Sequence, residues 1–169
     1  HHFYDPVRHR GLVLEAIDVD NPNLAFVGAG AKSRWQSSKD WATDTLSQAG
    51  GNQKLFGGLF MDYFGGDDDY SWDRAIYEYT WKNKTRGLES LGHVLHLLED
   101  ATVPDHTRND IHPHVLNEGS PYEDWTKQFD RSHVDIADQL RSQKPKLLAS
   151  IGSYFDAMAN YSNNNFFSK

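Results

Sequence analysis

The stretch Leu88-Glu-Ser-Leu91-Gly92-His-Val-Leu95-His96-Leu-Leu-Glu-Asp100-Ala-Thr-Val-Pro104-Asp-His106 carries both the strongest helical signal and the densest chemistry of the chain. Leu88, Leu91, Leu95 and Leu98 recur at helical spacing. They continue a pattern set by Trp72, Ala75, Ile76 and Tyr79, with a polar break at Lys82-Asn83-Lys84. Helix is therefore predicted from Tyr70 to about Thr102, with Pro104 as the stop. Downstream, Ser120-Pro121-Tyr122-Glu123 has the order N-cap, proline at the first helical position and glutamate at the third, and opens a helix carrying Trp125 and Phe129. A last amphipathic segment, about Ile136 to Tyr161, is broken near Pro145. It is expected to bury Leu140, Leu147, Leu148, Ile151, Tyr154 and Phe155, with residues 162–169 as loop. Upstream, Ser37-Ser38 caps a predicted helix from about Lys39 to Gln48, and Leu55 to Phe64 reads as another despite Gly57-Gly58. Residues 1–34, cut by Pro6, Gly11, Pro22, Gly28 and Gly30, read as loop with one short helix. Asp67-Asp68-Asp69 reads as a solvated turn. No alternating strand pattern of useful length is present, so the fold class is all-α, a multi-helix bundle.

The chain has 169 residues, a size that suits one domain over 1–169. Lys and Arg number 17 against 24 Asp and Glu, a net charge of −7, which argues against a protein coating duplex nucleic acid. There are no cysteines, which removes disulfides, thiolate metal sites and cysteine nucleophiles. No apolar run approaches the roughly 20 residues of a membrane span, and no Gly-x-Ser-x-Gly or Walker-type loop is present. The start shows neither an initiator Met nor a signal peptide, which reads as a processed product or part of a longer chain.

His96 and Asp100 are four apart on the best-predicted helix, about 40° apart around its axis, so both side chains can reach one ion. Leu95, Leu97 and Leu98 flank the pair and predict a helix buried on most sides. A carboxylate in that setting is costly unless neutralised. His106 follows just past the helix end, and Asp110, His112, His114, Glu118 and Glu123 extend the cluster. Imidazole and carboxylate without sulfur suit zinc, manganese or iron. His93, on the same face, reads as packing or as a hydrogen-bond donor to a ligand. Asp105 reads as a partner to a ligand or an N-cap, and Arg108 as a phosphate contact or a salt bridge. His9 and His133 read as surface. Trp35, Trp41, Trp72, Trp81 and Trp125 read mostly as core anchors.

The pattern Leu91-Gly92-x-x-Leu95-His96-x-x-x-Asp100-x-x-x-Pro104-x-His106 resembles the core motif of the zinc-dependent phospholipase C superfamily, which includes the single-strand-specific nucleases. His2-Phe3-Tyr4-Asp5-Pro6 resembles a second segment of that superfamily, His-Phe-aromatic-Asp-Pro. The order of the two agrees with the family and their separation is longer, so the acidic and aromatic stretch between them would be an insertion. The resemblance covers about residues 2–129 and implies an all-α, secreted or periplasmic protein with two or three zinc ions. Residue by residue, it implies that His2, His96 and Asp100 share one zinc, with Asp100 placed to bridge, and that His106 binds a further zinc with Glu123. The family's histidine four before that glutamate is replaced by Gly119; His112, His114 or Glu118 would substitute, His112 ranking first because it closes the compact run from His106. The family's tryptophan, first histidine and proposed base lie upstream of His2. Their absence implies a cleaved upstream segment that stays associated, a longer parent protein, or a degenerate site, and leaves the catalytic base unassigned.

Three functions follow from these expectations. The leading one is a zinc-dependent phosphoesterase of phospholipase C type acting on a phospholipid or other phosphodiester. The second is a single-strand nuclease of the same superfamily. The third is a secreted structural or assembly module with an incomplete metal site.

Overall fold

The computed structural model describes residues 2–14, 33–34, 36–44, 69–110, 120–128 and 136–168. The protein is mostly helical. Among the described residues the chain forms β1 (Val13–Leu14), β2 (Ser33–Arg34), α1 (Ser38–Thr43), α2 (Trp72–Trp81), α3 (Lys84–Asp100), α4 (Pro104–Thr107), α5 (Pro121–Gln128), α6 (Ile136–Arg141) and α7 (Ile151–Asn165). Before residue 34, β1 and β2 pair antiparallel over two residues; residues 15–32, where the expected short helix could fall, lie outside the described residues. The predicted helix over 55–64 lies outside the described residues, as do Trp35, Asp67, Asp68, Phe129 and His133.

Hydroxyl and amide caps set the helix starts. Ser37, Ser71, Asn83 and Ser150 each accept a backbone N–H of the first turn from an extended conformation. The α1 helix ends at Thr43, short of the predicted Gln48, because Asp44 is already extended. The break at Lys82-Asn83-Lys84 is real. Lys82 leaves helical geometry and Asn83 caps α3. Pro104 does not act as the stop. The helix ends at Asp100, and Pro104 occupies the first turn of the separate helix α4, where its missing N–H costs nothing.

The buried stripe of α3 is Gly87, Ser90, Val94, Leu97 and Asp100, not the leucine row. Leu88 and Leu95 are exposed, so α3 buries one face instead of most of its surface. At Gly87 no side chain fits, because α2 and α3 run close together there. A Cβ on Gly87 would lie 2.6 Å from the Tyr79 backbone nitrogen. Glu78, buried at this contact, sits between Arg74 (2.7 Å) and Arg86 (3.8 Å), so its charge is paired. Asp69, expected in a solvated turn, is buried and accepts the Ser71 N–H at 2.9 Å.

The core gathers Tyr4, Ala42, Val94, Leu97, Ala101, Phe155 and Ala159, with Trp41, Trp72, Leu98 and Ile151 packed against it. Trp81 and Trp125 are exposed, against the expectation that the tryptophans are mostly anchors. Leu140, in α6, and Leu147, in the stretch without regular structure before α7 begins at Ile151, are also exposed. Helix α7 then continues to Asn165, past the predicted start of the loop. Its C-terminal turns bind the α3–α4 corner. Ser162 Oγ donates to the Thr102 carbonyl, Asn163 Nδ2 donates to the Thr107 carbonyl, and Arg108 donates to the Asn163 carbonyl.

The N-terminal segment is fastened to three helices. Tyr4 donates its backbone N–H to the His106 carbonyl (3.0 Å), and the Phe3 carbonyl accepts from Ser38 (3.0 Å). The Tyr4 hydroxyl donates to Asp156 at 2.6 Å, and Lys39 Nζ reaches both Asp156 oxygens at 2.7 and 2.8 Å. Partial burial pushes the Asp156 carboxyl up, but Lys39 and Tyr4 outweigh it and hold it below the usual carboxylate range. Burial and the Asp156 charge push the Tyr4 phenol well above its ordinary value, so it stays protonated as a donor. A lowered folded-state pKa stabilises the fold above the unfolded carboxylate value of about 3.9, and this contribution disappears as pH falls through the folded value. Thermal melts should therefore fall on acidification below about pH 4. In Asp156→Asn this part of the slope should be lost, at a cost near neutral pH of at most about 1 kcal/mol for so exposed a pair.

Candidate metal centre

Asp100 ends α3 and is largely buried, and three imidazoles surround its carboxylate. His2 Nδ1 lies 2.5 Å from Oδ2, His96 Nε2 lies 3.5 Å from the same oxygen, and His106 Nδ1 lies 3.4 Å from Oδ1. The rings of His2 and His96 are 5.2 Å apart and nearly perpendicular; those of His2 and His106 are 5.9 Å apart. His2, His96 and Asp100 each offer one ligand atom, all within 4.8 Å of one another. His96 reaches this point from one turn back along α3. His106 comes from α4, and His2 from a segment 98 residues away. Burial pushes the Asp100 carboxyl up, yet the His106 and His2 rings together hold it below the usual carboxylate range. The group is an anion at neutral pH.

Glu123 joins from α5, its Oε1 3.8 Å from His106 Nε2. His106 is buried and faces a different carboxylate with each ring nitrogen, while Phe3 packs at 5.0 Å from the ring. Nδ1 thus faces the Asp100 carboxylate and Nε2 the Glu123 carboxylate.

The donor set can be tested against a divalent ion. Tetrahedral zinc at 2.0–2.1 Å from each ligand separates neighbouring ligand atoms by about 3.4 Å. The His96–Asp100 separation already matches that edge. The His2–Asp100 separation is a hydrogen-bond length and would have to open by roughly 0.9 Å, a movement open to His2, whose side chain is half exposed. Three imidazoles and two carboxylates provide N and O ligands without sulfur, which suits a hard or borderline divalent cation. The residues fit such an ion.

Five of the six predicted ligands are thus brought together: His2, His96, Asp100, His106 and Glu123. His112 lies outside the described residues, as do His114, Glu118 and Gly119. His93 packs between Tyr70 (4.5 Å) and Trp41 (6.3 Å), in keeping with a packing role. Arg108 donates to the Asn163 carbonyl and lies over the Phe167 ring, while Glu118, one of its two expected salt-bridge partners, lies outside the described residues. The pairing of Asp105 with Ser120, whose hydroxyl donates to Oδ2 at 2.6 Å, has no local sequence signature. A cleft of about 420 Å³ is lined by Thr102, Tyr122, Met158, Tyr161, Ser162 and Phe166, none of which belongs to the cluster.

No family model, curated protein or solved structure matches this chain. Among the described residues no helix is long and apolar enough to cross a membrane.

Proposed function

We propose that this protein is a zinc-dependent phosphodiester hydrolase of phospholipase C type, with His2, His96 and Asp100 holding one ion and His106 Nε2 and Glu123 contributing to a second position. The observation that carries this reading is the convergence of three histidines, from three separate parts of the chain, on one buried carboxylate. A surface i, i+4 pair would account for His96 and Asp100 alone. It would not account for His2 and His106 meeting the same group. When bound, zinc acidifies a coordinated water and stabilises negative charge on a phosphate. The chain's own residues orient the site: Asp100 and His106 fix each other, and the carboxylates supply compensating charge. A cleft lined by Met158, Tyr161 and Phe166 offers an apolar surface of the kind a lipid portion would need. A secreted or periplasmic location belongs to the same proposal.

Elemental analysis of the purified protein should find one or more zinc ions per chain, and chelator should lower its melting temperature. A phosphocholine ester should be hydrolysed in preference to single-stranded DNA. His96→Ala should lower metal content and activity together, with little change in far-ultraviolet circular dichroism because the side chain is exposed. Less than about one zinc per chain with no chelator effect would instead favour a structural module. Preferential DNA cleavage would favour the nuclease.

A further inference from the structure

We infer that Ser120 and Asp105 are positioning residues that hold Glu123 against His106. The inference rests on the second ion position proposed above. Asp105 and Ser120 are both fully buried, and their 2.6 Å hydrogen bond joins α4 to the start of α5. Ser120 Oγ donates its proton to Asp105 Oδ2 and accepts the Glu123 N–H at 3.2 Å, while its carbonyl accepts from Asp124 at 3.0 Å. One hydroxyl therefore caps α5 and ties that cap to the residue preceding His106. Asp105 is fixed in turn, since its carbonyl accepts the Asp110 N–H at 3.1 Å.

The geometry points to placement more than to general stability. Helix α5 buries none of its residues, so apolar packing does little to fix its position. The Ser120–Asp105 bond links the start of α5 directly to the residue preceding His106. In a capping box a glutamate at the third helical position folds back onto the cap residue. Here the Glu123 carboxylate is turned to His106 instead, and the cap is held from the other side by Asp105. Groups one contact beyond a ligand typically affect metal affinity tenfold to a hundredfold.

The test is zinc titration of the full chain in competition with a chromophoric chelator. It compares wild type with Ser120→Ala, with the isosteric pair Ser120→Thr and Ser120→Val, and with Ser71→Ala, which removes the α2 cap away from the cluster. Ser120→Ala and Ser120→Val should weaken the second zinc by about tenfold to a hundredfold and leave the first unchanged. Ser120→Thr should restore it, and Ser71→Ala should lower stability without moving either affinity. The Thr and Val pair has one shape and differs only in the hydroxyl, so it gives the answer even if the alanine variant misfolds. Equal second-zinc affinity in Thr and Val variants would overturn the inference. A wild type that takes up one zinc only, lost on His96→Ala, would leave the first site standing and overturn the role of Glu123 and its anchor. A wild type that binds none would overturn the metal reading itself.

Discussion

Asp100→Ala should abolish both zinc uptake and phosphodiester hydrolysis, a loss of more than about a hundredfold and larger than for residues one contact removed. Its carboxylate is the group to which His2, His96 and His106 all turn, so its removal takes a ligand and the common reference of the other three at once. It also removes the hydrogen bond that holds His2 at the site. Asp100→Asn separates the two effects. The amide keeps the shape and part of the hydrogen bonding but loses the charge, so the folded protein should persist while metal affinity falls. Elemental analysis and hydrolysis rates on both variants check this, and full metal content in Asp100→Ala would refute the centre.

Phe155→Ala is expected to cost about 3–5 kcal/mol of folding stability, near the upper end of that range. Phe155 is completely buried at the junction of α1, α3 and α7. Its buried neighbours include Ala42, Ala101 and Ala159, which have no side chain long enough to fill the space left by the ring. The cavity should therefore stay open. Since domains of this size hold about 5–15 kcal/mol in all, the variant should unfold at a markedly lower urea concentration, with native and denatured baselines retained. Leu147→Ala, at 85% exposed, provides the contrast and should change stability by no more than about 0.5 kcal/mol. A midpoint for Phe155→Ala close to that of Leu147→Ala would contradict the core described above.

Much of the candidate centre was legible because metal-type chemistry leaves local marks. His96 and Asp100 stand four apart on a periodic helix, His106 follows a proline, and Glu123 follows a Ser-Pro cap. His2 was legible only through its motif, since nothing in its own neighbourhood indicates a partner 98 residues away. The helical class was legible too, and so was the break at Lys82-Asn83-Lys84. The inward face of α3 was not. The leucine row at Leu88 and Leu95 has the right period, but the close approach of Gly87 to Tyr79 turns that face inward, and Val94 and Leu97 follow it into the core. Trp81 and Trp125, both exposed, likewise show that a large apolar side chain is by itself no guide to burial. The Ser120–Asp105 bond could not be read, because two common polar residues 15 apart carry no periodicity.

The attachments of Phe3 and Tyr4 to Ser38, His106 and Asp156 use no atom that would ligate an ion. Closing so long a loop is entropically unfavourable, by an amount that grows with the logarithm of its length. Here ordinary polypeptide contacts oppose that entropy before any cation arrives. Capture of the cation then requires adjustment of side chains only, so uptake should be rapid and its affinity should not be eroded by assembly of the cage.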